Sequence, residues 1–582
     1  MQLQICNNPH RFAEPPDRGH GGLPVIEVSM DTVINLILRY VFPLLALVIL
    51  GRCARSLLTF RKEPEVWAWL AAPNGDRLPV THWETLLGRA KTCDVVLDYP
   101  TISRSHAVLT RYDDGSWTVS DVGSKGGIQV NGVTTSMEVV AFGDTISLGG
   151  VPFQLVPITK KQEVIQASVR TRAGDTVRPA LTLLFLTVFQ VLMALQLPAD
   201  LTVFSAFGIL MAMEWGLFLF TRMLRRTGFE VETIAFFLTS LGLAVIASDD
   251  PGELTKQLIC IGAGLVVFLI LIWSLRDLER AKKLRYVAAA GSLLLLAVNL
   301  VFGVELGGAK NWIYIGGVSF QPSELVKVCF IFVGASTLQR IMTKRYMFLF
   351  IAYSAVICGC LVLMNDFGTA LIFFAAFLVI AYMRSGSFAT IALIVAAVAM
   401  AGVFAMRFRP HMLSRFSAWG HVWENALTSG YQQTRAMMCI ASGGLFGLGG
   451  GNGWLKYVAA SDTDLVFAFV AEEWGLLLAL LMVLAVICLA AFVVRSAPVG
   501  RSSFYTIGAC TAAMILLVQT VLNVFGTVDL LPLTGVTLPF VSNGGSSMLA
   551  CWGLLAFIKA ADTRQNASMA IKLPSKREID NS

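Results

Sequence analysis

The hydrophobic pattern changes character three times along the chain. A polar, Pro- and Gly-containing stretch, residues 1–30, precedes an apolar run from Val33 to Leu50. Between 65 and 157 the apolar runs shorten and alternate with polar residues, as in TLLGR, DVVLD, SWTVSD and DTISLGG. Turn pairs such as Asp114-Gly115, Asn131-Gly132 and Gly149-Gly150 separate them. Period-two alternation cut by such turns predicts a soluble all-β sandwich. From 178 onward, long apolar segments follow closely on one another. They lie near 178–196, 203–222, 232–249, 256–275, 286–303, 320–338, 346–364, 367–383, 388–406, 466–494, 504–522 and 537–558. Each is near the length a bilayer requires, so each predicts a spanning helix.

The expected organisation is a poorly ordered N-terminus (1–30), a membrane anchor (31–51), a sandwich (65–157) and a basic linker (158–177). A polytopic helical region and a polar tail (560–582) follow. The anchor lacks a small-residue cleavage site, so it is read as retained. Composition agrees: 55% of the 582 residues are hydrophobic and only 14% are charged. The net charge of +7 calls for no nucleic-acid partner, because Lys and Arg gather in cytoplasmic loops of membrane proteins. Arg52, Arg55, Arg61 and Lys62 put the sandwich in the cytoplasm. Alternation from there sets 304–319, 407–465 and 523–536 outside. The 11 cysteines show no CxxC or Cys/His spacing; Cys358 and Cys360, in an apolar run, are read as packing residues.

Ionisable residues at a membrane edge are costly and point to function. The densest group is SDTDLVFAFVAEEWG, Ser461 to Gly475. Read as one helix, it sets Glu472 about 80° around from Asp464 and Glu473 nearly opposite. These carboxylates then cannot share one face. Three uses stay open for such a group: general base, proton relay in a transporter, or partner for a helix end. Polar, Gly-rich segments on the same side (307–327, 365–369, 429–452 and 530–547) suggest a site at the outer membrane edge, since such backbone is tolerated only against protein or water.

Two resemblances sharpen this picture. Gly88-Arg89, Ser103-Arg104-Ser105-His106, Asp121 with Ser124, Val130-Asn131-Gly132 and Gly143-Asp144 resemble a forkhead-associated (FHA) domain. The resemblance implies phosphothreonine recognition by Arg89 and Ser103, flanked by Arg104 and Lys125, with His106 bracing the loop. A threonine-phosphorylated protein or a Ser/Thr kinase would be the partner. The family's Asn-Gly-Thr stands here as Gly126-Gly127-Ile128.

Over 232–558, Gly308-Ala309-Lys310-Asn311-Trp312, Gln321-Pro322-Ser323-Glu324, Asp366-Phe367-Gly368-Thr369, Gly430-Tyr431-Gln432, Thr463-Asp464 and Leu538-Pro539-Phe540-Val541-Ser542 resemble the SEDS family, which includes FtsW and RodA. The resemblance implies a ten-helix core, with 178–222 an extra pair ahead of it. It also implies polymerisation of lipid II beside a class B penicillin-binding protein, with Asp464 as the catalytic aspartate. Lys310, Lys327, Arg435 and Lys456 are candidate cations for the leaving pyrophosphate, with or without a divalent metal. Trp312, Glu324, Asp366, Gln432 and Ser546 complete the expected substrate site. The chain departs from the family at Asn311, Ala459-Ala460 and Asn543. A lipid II flippase and a non-enzymatic scaffold for the penicillin-binding protein are the competing readings.

Overall fold

The computed structural model describes residues 30–59, 64–91, 93–112, 115–159, 161–162, 177–306, 308–315, 318–337, 344–385, 388–389, 391–396, 400 and 419–564. The expected disordered N-terminus, most of the basic linker, about half of the span at 388–406 and most of the polar tail fall outside these residues.

The alternating region folds as predicted. Its strands are β1 (Ala68–Ala71), β2 (Arg77–Val80), β3 (Glu84–Gly88), β4 (Val95–Val96), β5 (Ala107–Arg111), β6 (Trp117–Asp121), β7 (Ile128–Val130), β8 (Val133–Thr135), β9 (Met137–Val140), β10 (Thr145–Leu148) and β11 (Val151–Val156). They form two sheets, β2-β1-β11-β10-β7-β8 and β4-β3-β5-β6-β9. Leu70, Leu109, Trp117, Ile146 and Phe153 fill the space between them. Asn131, with φ of +50°, turns β7 into β8, the conformation that the Asn-Gly pair signals.

The helices are α1 (Met30–Leu58), α2 (Pro179–Gln196), α3 (Leu201–Met223), α4 (Glu230–Asp249), α5 (Leu254–Leu275) and α6 (Leu278–Phe302). A small sheet of β12 (Val304–Leu306), β13 (Ala309–Ile315) and β14 (Val318–Phe320) follows. Then come α7 (Pro322–Thr337), α8 (Lys344–Leu363), α9 (Phe367–Ser385), α10 (Tyr431–Gly443), α11 (Val466–Glu473), α12 (Leu476–Ser496), α13 (Ser503–Thr527) and α14 (Gly545–Ala560). Among the described residues, 8 helices are long and apolar enough to cross a membrane, and α8, α9 and α14 are shorter apolar helices. The chain is therefore a multi-pass membrane protein carrying a β-sandwich.

Helix α4 is the axis of the bundle: every residue from 230 to 248 is buried. Helix α14 packs closely on α5, where Gly264 leaves room for the Trp552 indole; a Cβ there would lie 2.6 Å from the ring. Two predicted spans are resolved differently. The segment 466–494 is not one helix, because Gly475 at φ +94° separates α11 from α12. The span expected from 537 begins only at Gly545, because 532–544, with Pro532, Gly535 and Pro539, remains a loop.

The sandwich is docked on the bundle. The Trp83 side chain is part of the bundle's own apolar core. Its backbone N–H donates to the Arg501 carbonyl at 2.6 Å. Ser502 Oγ donates to Glu84 at 3.0 Å, and Arg501 pairs with Glu65 at 3.1 Å. Ser502 also caps α13, accepting from the Phe504 N–H. The same end of the bundle holds a buried ionic cluster. Arg564 pairs with Asp562 (2.7 Å) and Glu230 (3.1 Å), and Lys559 pairs with Glu232 (2.9 Å). Burial alone would raise the Asp562 carboxyl, but the Arg564 guanidinium outweighs it and holds the group below its ordinary range.

Candidate functional site

The opposite end of the bundle is built from loops. Asp464 lies just ahead of α11, in a turn closed by its N–H donating to the Ala460 carbonyl at 2.9 Å. Ala460 holds φ at +60°, a strained conformation for a residue with a Cβ, and such strain gathers at functional sites. Asn365, Asp529 and Phe540 share this left-handed conformation at the same end.

Three successive carbonyls of this turn are each taken by a donor from 523–543. Asp462 O accepts from Asn543 N at 2.9 Å. Thr463 O accepts from Ser542 Oγ at 2.6 Å, and Asp464 O accepts from Asn523 Nδ2 at 3.0 Å. Asn543 Nδ2 also reaches the Asp462 carboxylate at 2.8 Å. With the backbone held, the Asp464 carboxylate lies against Gly535, where an added Cβ would stand 3.4 Å from Oδ2. Gly535 is at φ +68°, a conformation in which glycine carries no steric penalty.

The loop carrying Gly535 also reaches a second polar group. On its other side Val536 and Thr534 pack against Gly368, at the start of α9. Asp366 caps that helix: its Oδ1 accepts from Thr369 N at 3.1 Å, and its Oδ2 from Asn311 (3.0 Å) and Gln321 (3.3 Å). Gln321 N donates to Ser546 Oγ at 3.3 Å, and Thr537 and Ser547 share a hydroxyl bond of 2.9 Å. Asp464 and the group of Asp366, Gln321 and Ser546 thus flank one loop, residues 534–537.

The expected cations lie in different settings. Lys310 Nζ donates to the Leu300 carbonyl at 2.8 Å, and half-buried Trp312 continues the same strand. Lys456 Nζ donates to Gly451 O at 2.8 Å, and the Arg435 guanidinium stacks on Tyr431 at 5.1 Å. Lys327 is different: it is buried within the bundle and paired with Glu324 at 2.7 Å. Gln432 Nε2 holds the Ala459 carbonyl at 2.8 Å, just before the Asp464 turn.

Glu472 and Glu473 both serve one loop. Glu472 accepts from the N–H groups of Trp454 (3.0 Å) and Leu455 (2.9 Å); Glu473 accepts from Gly453 N (3.1 Å) and Ser248 Oγ (2.5 Å). The helical-wheel angles between them and Asp464 do not apply, although the glutamates serve a different loop from the one the Asp464 carboxylate faces. Asp464 is outside the helix, and the 453–455 loop reaches around to both glutamates. Among the described residues, no group of three or more His, Cys, Asp or Glu side chains could hold a metal ion.

Sequence reading passed over Asn523 and Thr527, although both are polar, in an apolar helix, and four residues apart, hence on one face. It also passed over Ser542 and Asn543 as partners of the turn.

On the sandwich, the recognition loops are braced from beneath. Buried His106 accepts from Ser103 N at Nδ1 (3.0 Å), so its Nε2 carries the proton that goes to Gly127 O (2.9 Å). Ser103 Oγ accepts from Lys125 N at 3.0 Å, and Ser103 O from Arg89 N at 3.0 Å. These bonds gather Arg89, Ser103 and Lys125, with Arg89, Arg104 and Lys125 exposed. At Gly126 a Cβ would lie 2.7 Å from the Gly149 Cα, so the backbone has closed over the place of a side chain.

Comparison with known proteins agrees with both parts. A family model for FHA domains matches residues 85–149. The chain is 28% identical over 359 residues to a peptidoglycan glycosyltransferase RodA of Mycobacterium tuberculosis, covering 56% of this chain and 76% of that one. It is 31% identical over 285 residues to a probable peptidoglycan glycosyltransferase FtsW of Coxiella burnetii, covering 47% and 77%. One chain of a peptidoglycan synthase complex of known structure aligns at 27% identity with a TM-score of 0.49, covering 56% of this chain and 95% of that one. The family model for the FtsW, RodA and SpoVE cell cycle proteins matches residues 231–567, and with the helical bundle and its looped end described, the chain belongs to that family.

Proposed function

We propose that the chain is a peptidoglycan glycosyltransferase that polymerises lipid II at the outer face of the cytoplasmic membrane, in division or elongation. The observation that carries this reading is the Asp464 turn: three backbone carbonyls are held, and the carboxylate is set against a glycine. The names of its relatives support it.

In the reaction, the 4-hydroxyl of one lipid-linked disaccharide attacks the anomeric carbon of another. Asp464 accepts the hydroxyl proton as the new C–O bond forms. The bond from the anomeric carbon to the pyrophosphate breaks, and polyprenyl pyrophosphate leaves with the electron pair. A pyrophosphate needs no proton to depart, so a single carboxylate suffices, unlike the paired carboxylates of sugar hydrolysis. Positive charge must meet the leaving group. Lys310, Lys456 and Arg435 are the candidates at the looped end. Lys327, already neutralised by Glu324, serves the interior of the bundle. Asp366, Gln321 and Ser546 shape the far wall, beside the strand of Trp312, and Gln432 lies on the Asp464 side.

The sandwich reads phosphothreonine on a protein or kinase through Arg89, Ser103, Arg104 and Lys125, because a dianionic phosphate favours guanidinium and hydroxyl donors. A class B penicillin-binding protein is the membrane partner. Sidedness is tested by cysteines introduced at Asn425 and Gly115 in a chain lacking its own. In intact cells an impermeant reagent should label the first and spare the second; the reverse would take Asp464 from its substrate.

The decisive experiment is strand formation from purified lipid II, with and without the partner. Asp464→Asn should lower the rate about 100- to 10,000-fold while the protein stays folded. Wild-type strand synthesis by that variant removes the base role. Transfer of lipid II across vesicles without polymerisation would instead support a flippase.

A further inference from the structure

We propose that Asn523 is a positioning residue for this reaction, its one side-chain amide tying the backbone of Asp464 to the loop that walls the Asp464 carboxylate. The assignment rests on the glycosyltransferase reading above.

Asn523 lies in the last turns of α13 and is 2% exposed. Its Nδ2 donates to Asp464 O at 3.0 Å and to Val536 O at 2.9 Å. Both protons of one amide nitrogen are therefore spent on two different loops. One acceptor belongs to the proposed base. The other belongs to the residue after Gly535, whose Cα faces that base. The orientation of the amide is fixed by chemistry: turned over, its oxygen would face two carbonyls. Asn523 Oδ1 is buried without a hydrogen-bond partner among the described residues. An apolar residue of the same shape would avoid that cost, so the two donor bonds account for an asparagine here.

Among the described residues, no other side chain bonds both Asp464 O and Val536 O. Thr527 Oγ1 has its short bond to Asn523 O, at 2.8 Å, and only a 3.5 Å approach to Asp464 O. Ser542 and Asn543 hold Thr463 and Asp462, not Asp464 itself. The distance from carboxylate to reacting hydroxyl is thus set through Asn523, and displacements on the order of 1 Å can cost about 100-fold in rate.

The test uses the purified full chain and fluorescent lipid II. Asn523→Asp keeps the shape but sets an acceptor against two carbonyls. It should lower kcat about 100-fold with KM changed less than about twofold. Amide exchange should quicken at 462–466 and 534–537 and stay unchanged in the sandwich and in α4. Asn523→Gln, which keeps the donors, should recover at least about tenfold of the lost rate, since a restored bond to carbonyl is worth about that much. Added to Asp464→Ala, Asn523→Asp should cause no further loss. Should Asn523→Asp fail to fold, Asn523→Ser, which shortens the reach without adding charge, carries the same expectation. A normal kcat in Asn523→Asp, or a loss matched by general destabilisation and global exchange, overturns the positioning role alone. A wild-type chain that forms no strands, or an Asp464→Asn chain that forms them normally, overturns the glycosyltransferase reading and this assignment with it.

Discussion

The two ends of the helical bundle are fastened by opposite means. At the sandwich end, buried charges neutralise one another: Arg564 with Asp562 and Glu230, Lys559 with Glu232, Arg501 with Glu65. At the looped end, neutral donors hold backbone carbonyls: Asn523 on Asp464, Ser542 on Thr463, Asn543 on Asp462. A closed ion pair fixes position but spends its charge. A held carbonyl fixes the backbone without pairing one charge against another. Four of the six non-glycine residues found at positive φ, Asn365, Ala460, Asp529 and Phe540, also belong to the looped end. Strain and neutral fastening coincide where a reaction is proposed; the densest paired charge lies where domains meet, with Lys327 and Glu324 a separate buried pair.

The sharpest way to break this contrast is to damage the sandwich end and ask whether the looped end notices. Arg564→Met removes one cation from a buried cluster and leaves Asp562 and Glu230 without it. Breaking such a cluster costs about 3–5 kcal/mol, so the detergent-solubilised protein should melt well below wild type. Helix α13 alone, 25 residues, runs about 37 Å between the two ends. The surviving folded fraction should therefore keep its kcat for lipid II. A proportionate fall in kcat would mean that the two ends are not separate devices.

Acid probes the same cluster without mutation. The Asp562 carboxyl is held below its ordinary value of 3.8 in the folded chain, Arg564 prevailing over burial. A depressed folded value means that the stabilisation is fully present above the unfolded value. It is lost as pH falls through the folded one. Thermal stability should be flat near neutrality and drop below about pH 4, the range of an unperturbed aspartate. Asp562→Asn should flatten that acid limb. An unchanged limb would place the acid sensitivity elsewhere.

A third effect, in binding, separates the docked sandwich from the bundle beneath it. Loss of a charge-assisted, bidentate guanidinium–phosphate contact costs on the order of 2–3 kcal/mol. Arg89→Ala should thus weaken a phosphothreonine peptide about 30- to 150-fold in a titration of the full chain. The sandwich should stay folded, because Arg89 is exposed and its backbone N–H bond to Ser103 O survives the substitution. Equal affinity for phosphorylated and unphosphorylated peptides in the wild type would make the domain a scaffold.

Much of this was legible in the sequence, for physical reasons that differ by region. Alternation and turn pairs specify a sandwich because each strand has one wet face and one dry one, and Asn131-Gly132 set a hairpin. The spans were legible because a bilayer demands length. The breaks were harder. Gly475 was visible but reads as an ordinary residue of an apolar run. Only the backbone of Leu445 and Phe446, 2.5–2.6 Å from where its Cβ would be, shows why the helix stops. Asp464 stood out as a charge at a membrane edge. Its supports, Asn523 and Ser542, did not, because contacts between residues some 60 to 80 apart leave no local pattern. The docking of Glu84 on Ser502 was invisible for the same reason.

The smallest expected effect concerns Gly126, the position where the FHA pattern has asparagine. By composition alone, restoring that residue restores the peptide contact. The structure argues otherwise. A Cβ at 126 meets the Gly149 Cα at 2.7 Å, and Gly149 is itself pressed on the Thr101 carbonyl, 2.6 Å from where its own Cβ would be. The strand end at Leu148 and the loop at Thr101 must therefore separate before an asparagine side chain fits at this position, and overpacking of this kind costs about 1–3 kcal/mol. Any gain from an added peptide hydrogen bond, about 1 kcal/mol, is offset by that displacement. Gly126→Asn should lower the sandwich's melting temperature by a few degrees and change phosphopeptide affinity by less than about threefold. A tenfold gain in affinity without loss of stability would show that the loop yields freely, and that the glycine, not the closed backbone, limits recognition.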